Sequence, residues 1–327
     1  MERKKILEIR HFSVDFHTTE GTVHAINSLD YELQAGETLG IVGESGSGKS
    51  VSSLGLMRLI PNPPGEITDG EILFHEQDLL KLSEKEMEKI RGNKISMIFQ
   101  EPMTSLNPIL TCGDQIAESL IYHRNMKKKE ALREAEKLMC DVGIANADKR
   151  LHEYPHQMSG GMKQRIMIAM ALACEPDILI CDEPTTALDV TIQAQILDLI
   201  RKLNREKGTS IIMITHDFGV VSELCERVIV MYTGKIVEEA PAEKIFEKPL
   251  HPYTEGLIES IPQIMDQRKT LSTIDGTVPN PTETITGCSF WPRCRYATEK
   301  CKTEEPPVFC VSQDRKVRCW RYDKQNG

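Results

Sequence analysis

Residues 43–50 read Gly-Glu-Ser-Gly-Ser-Gly-Lys-Ser and match the phosphate-binding pattern G-x-x-x-x-G-K-[ST]. The apolar run Thr38–Val42 precedes them and predicts a buried strand, while residues 51–60 predict the start of a helix. In this context, glycines let backbone N–H groups turn toward phosphate oxygens, and the helix directs its positive end at the same oxygens. Lys49 is expected to reach the β- and γ-phosphates, and Ser50 to offer its hydroxyl to Mg²⁺. The stretch predicts a nucleoside triphosphate site and disfavours a chance glycine-rich turn.

Composition narrows the classes of partner. The 327 residues include 40 lysines and arginines against 49 aspartates and glutamates, a net charge of −9, so no general nucleic-acid-binding surface is expected. The N-terminus lacks the pattern of a signal peptide, and no apolar run approaches the ~18–20 residues of a membrane span. We expect a soluble, cytosolic chain with no signal peptide and no transmembrane segment, one able to bind a membrane protein.

Strand and helix patterns alternate along the first three-quarters of the chain, which predicts an α/β fold with a mostly parallel sheet. Predicted strands are 6–14, 25–33, 71–74, 94–99, 177–181, 210–215, 227–232 and 235–239, with a loop at 61–70. Predicted helices are 82–90, 112–122, 128–142, 162–173 and 191–205. We expect a nucleotide-binding domain at residues 1–240, with a helical subdomain at about 101–157, and a C-terminal extension at 241–327.

Two carboxylates follow the apolar run Ile178-Leu-Ile-Cys181, namely Asp182 and Glu183. A buried strand that ends beside a P-loop can place Asp182 to hold Mg²⁺, usually through water. Glu183 would then lie near the attacking water and could act as its general base. The alternative is a pair of solvated, idle acidic residues, which the upstream P-loop disfavours.

A second glycine pair, in Ser159-Gly160-Gly161, precedes the predicted helix at 162–173. A helix start without bulky side chains is a second anion-binding site. One nucleotide does not need two phosphate cradles so far apart in sequence. We therefore expect this segment to face a nucleotide that another chain holds.

Four further residues are candidates for weaker reasons. Gln100 ends a strand and is expected to contact Mg²⁺ or the water, and His216 follows a strand and is expected to contact the γ-phosphate. Asp189 is expected to cap the next helix, to lie at a subunit interface, or both. Phe16 is either the aromatic residue that stacks on the base or an ordinary core residue of its strand, and both alternatives stay open.

Taken in order, these segments resemble the ATP-binding-cassette (ABC) ATPases. The resemblance covers residues 5–240 and implies a RecA-like P-loop core with an antiparallel β subdomain and an α-helical subdomain. It also implies a dimer that sandwiches two ATP molecules with Mg²⁺ between the P-loop of one chain and the glycine segment of the other. The implied nucleotide-binding residues are Phe16, Gly43, Glu44, Ser45, Gly46, Ser47, Gly48, Lys49, Ser50, Val51, Ser159, Gly160, Gly161 and Asp189. The implied Mg²⁺ ligands are Ser50, Gln100 and Asp182, and the implied catalytic residues are Glu183, His216 and Gln100.

Finer features are similar to the ATPase subunits of dipeptide, oligopeptide and nickel importers. They are Met158-Ser-Gly-Gly-Met162-Lys-Gln-Arg165, Gln100-Glu-Pro-Met-Thr-Ser-Leu-Asn-Pro108 and His251-Pro-Tyr-Thr254. The resemblance implies peptide import at the cytoplasmic face of the membrane. Implied partners are two permease subunits, a second ABC ATPase (related or identical) and an extracytoplasmic binding protein. The alternatives are nickel import or, less favoured, a soluble ABC ATPase that acts on DNA or ribosomes.

Five of the ten cysteines crowd the tail. The same resemblance implies that Cys288, Cys294, Cys301 and Cys319 hold a [4Fe–4S] cluster, while Cys310 does not match the set and is a candidate free thiol. The spacing lacks the C-x₂-C pairs common in zinc sites, which favours iron–sulfur over Zn²⁺. Cysteines without metal remain the third alternative. A redox enzyme is disfavoured because the chain has no second cofactor motif.

Overall fold

The computed structural model describes residues 3–100, 105–185, 190–261, 274–280, 282 and 285–323. Its strands are β1 Lys5–Thr18, β2 Gly21–Gln34, β3 Thr38–Val42, β4 Gly65–Phe74, β5 Gln77–Asp78, β6 Ile95–Ile98, β7 Ile178–Asp182, β8 Ser210–Ile214, β9 Arg227–Tyr232, β10 Lys235–Pro241, β11 Phe309–Ser312 and β12 Arg315–Val317. Its α-helices are α1 Lys49–Leu56, α2 Glu84–Ile90, α3 Cys112–Arg124, α4 Lys128–Asp141, α5 Ala147–Arg150, α6 Gly160–Leu172, α7 Val190–Lys207, α8 Phe218–Leu224, α9 Ala242–Glu247, α10 Pro252–Glu259 and α11 Glu299–Thr303.

The chain divides into two compact units, which we describe separately. The first unit comprises Met1–Lys5, Leu33–Thr38 and Lys81–Met213. The second comprises Ile6–Glu32, Leu39–Leu80 and Ile214–Gly327. These units do not test the domain boundary predicted near Ala240, which stays a prediction.

The first unit is built on parallel strands. β6 and β7 pair in parallel, with Ile95 opposite Ile178 and Ile98 opposite Cys181. Every residue of both strands is buried, as in a parallel sheet that is covered on both faces. The prediction placed the second of these strands one residue early, because Asp182 is polar and yet belongs to β7.

Most of the rest of the first unit is helical, as predicted for an α-helical subdomain, and the unit ends within β8. Thr111 caps α3 by accepting a hydrogen bond from the Asp114 N–H at 3.1 Å. In α4, Ala131, Ala135 and Met139 are buried at four-residue spacing and form one apolar face. The two helices end within two residues of the ends predicted from the sequence.

The second unit contains two sets of strands. β1 pairs antiparallel with β4 in a sheet of order β2-β1-β4-β5. β3 pairs in parallel with β9, which continues antiparallel through β10 and β12 to β11. The tail therefore extends a sheet that also contains the strand before the P-loop.

One loop predicted from the sequence is partly wrong. The stretch 61–70 was predicted as a loop, but β4 begins at Gly65. Asp69 and Gly70 are residues typical of turns, and here they lie where the pairing of β4 with β1 changes register around Ser13. A β-bulge therefore accounts for turn-like residues inside a strand.

Candidate functional site

The P-loop has a conformation that only glycine permits at two positions. Gly43 has φ +151°, and a Cβ added there would lie 2.2 Å from the Met231 carbonyl oxygen. Gly48 has φ +100°, and an added Cβ would lie 2.7 Å from the Ala25 carbonyl oxygen. The sequence pattern thus corresponds to a loop held closely against the chain around it.

Lys49 is held within that loop. Its side chain is 7% exposed, and its Nζ donates to the carbonyl oxygens of Gly43 at 2.8 Å and Glu44 at 2.9 Å. Helix α1 begins at Lys49, directly after Gly48, which has no side chain to cap it. The N–H groups of its first turn and the ammonium group belong to the phosphate cradle predicted from the sequence, and their binding of phosphate stays a prediction.

Phe16 lies close to this cradle. It lines one cavity with Ser45, Gly46, Gly48 and Val51 of the P-loop segment. The other lining residues are Val23, His24, Ala25, Asn27, Thr233, Gly234, Lys235, Val278, Pro279, Asn280, Ile285 and Ser289. Phe16 is half-buried, whereas its strand neighbour Val14 is fully buried in the core. Stacking of Phe16 on the base stays a prediction, now with a cavity beside it.

The two strand-end carboxylates have different surroundings. Asp182, the last residue of β7, is 4% exposed. Glu183 has φ +47°, a left-handed conformation that is strained for a residue with a side chain. Gln100 Nε2 donates to Glu183 Oε2 at 3.3 Å, so the structure brings these two predicted residues together.

The glycine segment forms the start of α6. Ser159 caps the helix by accepting a hydrogen bond from the Met162 N–H at 3.3 Å. A Cβ added at Gly160 would meet no heavy atom within 4 Å among the described residues outside its own helix, and one at Gly161 would lie 3.6 Å from Ile192. Packing of the described chain does not require a glycine at position 160, which leaves room for an approaching ligand.

Of the two remaining candidate residues, the structure describes His216 but not Asp189. His216 is exposed and precedes Asp217, which caps α8 by accepting hydrogen bonds from Gly219 N–H at 2.8 Å and Val220 N–H at 3.4 Å. His216 and the P-loop belong to the second unit, whereas Gln100, the glycine segment and the strand-end carboxylates belong to the first. Asp189 lies outside the described residues.

The His-Pro-Tyr segment is buried in the second unit. Glu238 of β10 accepts hydrogen bonds from the N–H groups of Leu250 at 2.9 Å and His251 at 2.8 Å. His251 Nδ1 accepts from Tyr253 N–H at 3.1 Å, and burial lowers the pKa of His251 to about 3. Tyr253 Oη accepts from the Glu44 N–H at 2.7 Å, which joins this segment to the P-loop.

Four tail cysteines share one cavity. Cys288, Cys294, Cys301 and Cys319 line it together with aromatic residues that include Phe290, Trp291 and Trp320. Cys310 is exposed on β11 and is not among the lining residues. Within the described part of the chain, no three His, Cys, Asp or Glu side chains form a group that could hold a metal ion.

Family models match two parts of the chain. The model of the ABC transporter family matches residues 26–186, and that of the oligopeptide/dipeptide transporter C-terminal region matches residues 237–301. A curated relative, the oligopeptide transport ATP-binding protein AppD of Bacillus subtilis, is 51% identical over 98% of both chains. The chain belongs to the ABC transporter ATP-binding subunits. It is an ABC ATPase whose tail is of the oligopeptide/dipeptide transporter type, and its nucleotide cofactor is ATP with Mg²⁺.

Other known proteins are similar to this ABC ATPase. The dipeptide transport ATP-binding protein DppD of Bacillus subtilis is 50% identical over 98% of this chain and 96% of its own. The ATP-binding cassette MJ0796, solved as a dimer bound to ADP and Pi, has a TM-score of 0.66 and 29% identity over 72% of this chain and 99% of its own. The cassette cbiO1 from Clostridium perfringens has a TM-score of 0.63 and 26% identity over 76% of this chain and 92% of its own. These structures confirm the predicted cassette fold.

Sequence reasoning missed three contacts of the ABC ATPase. Gln164 of α6 is buried, and its Nε2 donates to the Pro184 carbonyl oxygen at 2.6 Å, directly after Glu183. Tyr253 and Arg293 contact Glu44. Gln164 and Tyr253 belong to motifs that the sequence analysis singled out, but Arg293 lies in no recognisable pattern.

Among the helices that the structure describes, none is long and apolar enough to cross a bilayer.

Proposed function

We propose that this ABC ATPase couples ATP binding and hydrolysis to the import of dipeptides or oligopeptides through a membrane permease. One observation carries the proposal. Residues 237–301, which match the oligopeptide/dipeptide transporter C-terminal region, contact the P-loop, because Tyr253 Oη accepts a hydrogen bond from Glu44 N–H at 2.7 Å. The relatives AppD and DppD are named for oligopeptide and dipeptide transport. The region that matches the oligopeptide/dipeptide transporter model therefore lies in the same compact unit as the P-loop.

In the proposed reaction, Lys49 and the P-loop N–H groups bind the phosphates, and Ser50 and Asp182 are the Mg²⁺ ligands, with Gln100 as a third. Glu183 acts as general base toward the attacking water, which Gln100 helps to position. His216 contacts the γ-phosphate, and Phe16 stacks on the base. The contact between Gln100 and Glu183 and the strained backbone of Glu183 support these assignments.

The proposed assembly contains two ATPase subunits, two permease subunits and an extracytoplasmic binding protein, with no nucleic acid. The MJ0796 cassette is described as dimeric, which supports pairing of two cassettes. In such a pair, Ser159, Gly160 and Gly161 of one chain face the nucleotide of the other, and Asp189 lies at their interface. The space beside Gly160 supports this arrangement. The permease holds the ATPase at the cytoplasmic face of the membrane.

Reconstitution tests the transported substrate. The ATPase is purified with the permease and partner ATPase encoded beside it, placed in proteoliposomes with the binding protein, and supplied with ATP. Uptake of a labelled dipeptide, a labelled hexapeptide and ⁶³Ni²⁺ is then compared for the wild type, Lys49→Ala and Lys94→Ala. We expect peptide uptake that Lys49→Ala abolishes and Lys94→Ala, an exposed surface change, preserves. Uptake of nickel alone, or recovery with ribosomes or DNA in place of the permease, would contradict the proposal.

We also propose that Cys288, Cys294, Cys301 and Cys319 hold a [4Fe–4S] cluster. Their shared cavity supports it, since four thiols supply the ligand set of such a cluster. A single zinc ion would bind all its ligands at one atom, whereas each thiolate of a cubane binds a different iron. The spacing of these cysteines lacks the C-x₂-C pairs common in zinc sites, which favours the cluster over zinc. When bound, the cluster would link the four cysteines and so cross-link the tail.

Metal analysis tests the cluster. The full chain is purified without oxygen, and its visible absorption, iron, sulfide and zinc contents are measured for the wild type, Cys301→Ser and Cys310→Ser. We expect about four irons and four sulfides per chain in the wild type and in Cys310→Ser, and a loss in Cys301→Ser. Stoichiometric zinc without iron, or equal iron in all three proteins, would contradict the assignment.

A further inference from the structure

The second residue of the P-loop, Glu44, is paired with an arginine from the tail. Arg293 Nη1 donates to Glu44 Oε2 at 2.6 Å, and Nη2 donates to Oε1 at 3.0 Å. The Arg293 side chain is 4% exposed, so this two-bond pair is largely shielded from solvent on the arginine side. A P-loop carboxylate is thus bound by a residue 249 positions away in sequence.

Arg293 is itself held in place from several directions. Its Nε donates to the Asp275 carbonyl oxygen at 3.1 Å, and its guanidinium lies 5.9 Å from the ring centres of Tyr232 and Phe290. It is the last residue of the 3₁₀ helix Trp291–Arg293, directly before Cys294. The position of this cation is therefore set before any nucleotide arrives.

Glu44 is also connected to the phosphate-binding lysine. The Glu44 carbonyl oxygen accepts from Lys49 Nζ at 2.9 Å, while its N–H donates to Tyr253 Oη at 2.7 Å. The carboxylate thus belongs to the residue whose backbone helps to place Lys49. The negative charge of the Glu44 carboxylate opposes the binding of a polyphosphate, because like charges repel each other even where solvent partly screens them.

We propose that Arg293 is a positioning residue for nucleotide binding: it neutralises Glu44 so that the P-loop can accept the triphosphate. The inference rests on the proposed use of this loop to bind ATP. It assigns the tail a direct electrostatic part in the nucleotide site. Arg293 acts through Glu44 and is not assigned any contact with ATP.

Four variants of the full chain separate this role from general stability: Arg293→Gln, Glu44→Gln, the double variant, and Arg295→Gln as control. Arg295 is a neighbouring arginine, 54% exposed, that pairs with Glu255 and Glu259 and not with the P-loop. Calorimetric titration with MgADP gives the affinity, and thermal unfolding monitors the fold. We expect Arg293→Gln to weaken binding about three- to tenfold, because it leaves the Glu44 charge without its arginine.

The double variant removes both charges, so we expect its affinity to return to within about twofold of the wild type. The deficit of Arg293→Gln should also shrink between ~0.05 M and ~0.5 M salt, because salt screens the repulsion. A purely structural role would produce neither effect. Arg295→Gln should bind like the wild type.

Three results would overturn the inference. They are unchanged affinity in Arg293→Gln, a double variant as weak as Arg293→Gln, and a deficit that does not depend on salt. If Arg293→Gln fails to fold, the MgADP affinity of Glu44→Gln tests the inference instead, because this variant removes the repelling charge and keeps Arg293. Glu44→Gln is expected to bind MgADP more tightly than the wild type, and equal or weaker binding would contradict the inference. A wild-type chain that binds no nucleotide would instead contradict the proposed function.

Discussion

Gln100 Nε2 donates a hydrogen bond to Glu183 Oε2 across 3.3 Å, between the residues that follow β6 and β7. The amide therefore orients the carboxylate assigned as general base. The backbone of Glu183 is left-handed, a conformation that is strained for a residue with a side chain and persists only where the surrounding structure holds it. The hydrogen bond from Gln100 is one contact that holds the carboxylate in place.

Replacement of the base should separate binding from hydrolysis. We expect Glu183→Gln to lower the rate of ATP hydrolysis by about 100-fold or more while ATP stays bound, since the amide cannot take a proton from water. Phosphate release and retention of labelled ATP in the assembled transporter measure the two effects. Glu175→Gln is the matched control, because Glu175 pairs on the surface with Lys207 at 2.7 Å. Hydrolysis by Glu183→Gln at a near-normal rate would contradict its role as base.

The buried amide of Gln164 should affect turnover more than binding. Its Nε2 donates to the Pro184 carbonyl oxygen, and Gln164→Glu replaces that donor with a carboxylate, which leaves the carbonyl without its partner. We expect hydrolysis at saturating MgATP to fall about fivefold or more, with MgADP affinity within about twofold of the wild type. Gln157→Glu is the control, since the Gln157 side chain accepts a hydrogen bond from Tyr154 N–H and the new carboxylate can do the same. A loss of affinity equal to the loss of turnover would argue against a role confined to catalysis.

The steric demand at Gly48 predicts a specific loss of stability. We expect Gly48→Ala to lower the free energy of unfolding by about 3 kcal/mol and to abolish MgADP binding, since its Cβ would meet Ala25 and Ile26 within 3 Å. Urea unfolding and calorimetry measure the two quantities. Gly21→Ala also requires a positive φ, here +135°, but its Cβ would meet no described heavy atom within 4 Å beyond the chain neighbours of Gly21. It should cost about 1 kcal/mol and bind MgADP normally; equal costs at both positions would contradict the steric explanation.

Thiol labelling should distinguish the cysteines of the core from those of the surface. Burial raises the pKa of Cys225 to about 12, so at pH 8 only ~10⁻⁴ of this thiol is ionised. Cys140 is exposed. We expect N-ethylmaleimide to modify Cys140 within minutes and Cys225 only after unfolding in urea, as followed by mass spectrometry of the two peptides. Rapid labelling of Cys225 in the folded chain would contradict its burial.

Much of this architecture could be predicted from local patterns. The P-loop has a fixed local motif, the strands and the helices α3 and α4 have local apolar patterns, and α3 has a side-chain cap at Thr111. The start of α6 was placed two residues late, because glycines at 160 and 161 are poor helix formers and the Ser159 cap was the better signal. The start of β4 was missed because a bulge and a turn look alike in sequence.

Contacts between distant segments could not be predicted in the same way. Nothing in the spacing of Cys288 and Cys294 indicates that the arginine between them binds the P-loop, because an isolated arginine is usually a surface residue. The contact of Tyr253 with Glu44 spans 209 positions and depends on how the tail folds back within the second unit. Local propensity carries no information on such pairs, which only tertiary structure brings together.

The Glu44–Arg293 pair also has a consequence for how this gene changes over generations. Codons 249 positions apart specify two charges that compensate each other, and a point mutation alters only one of them. Loss of the arginine alone is therefore costly, and a later loss of the glutamate removes the uncompensated charge. We expect the residues at these two positions to covary among descendants of this gene. In cassettes that have lost the tail, we expect the second position of the P-loop to be acidic less often.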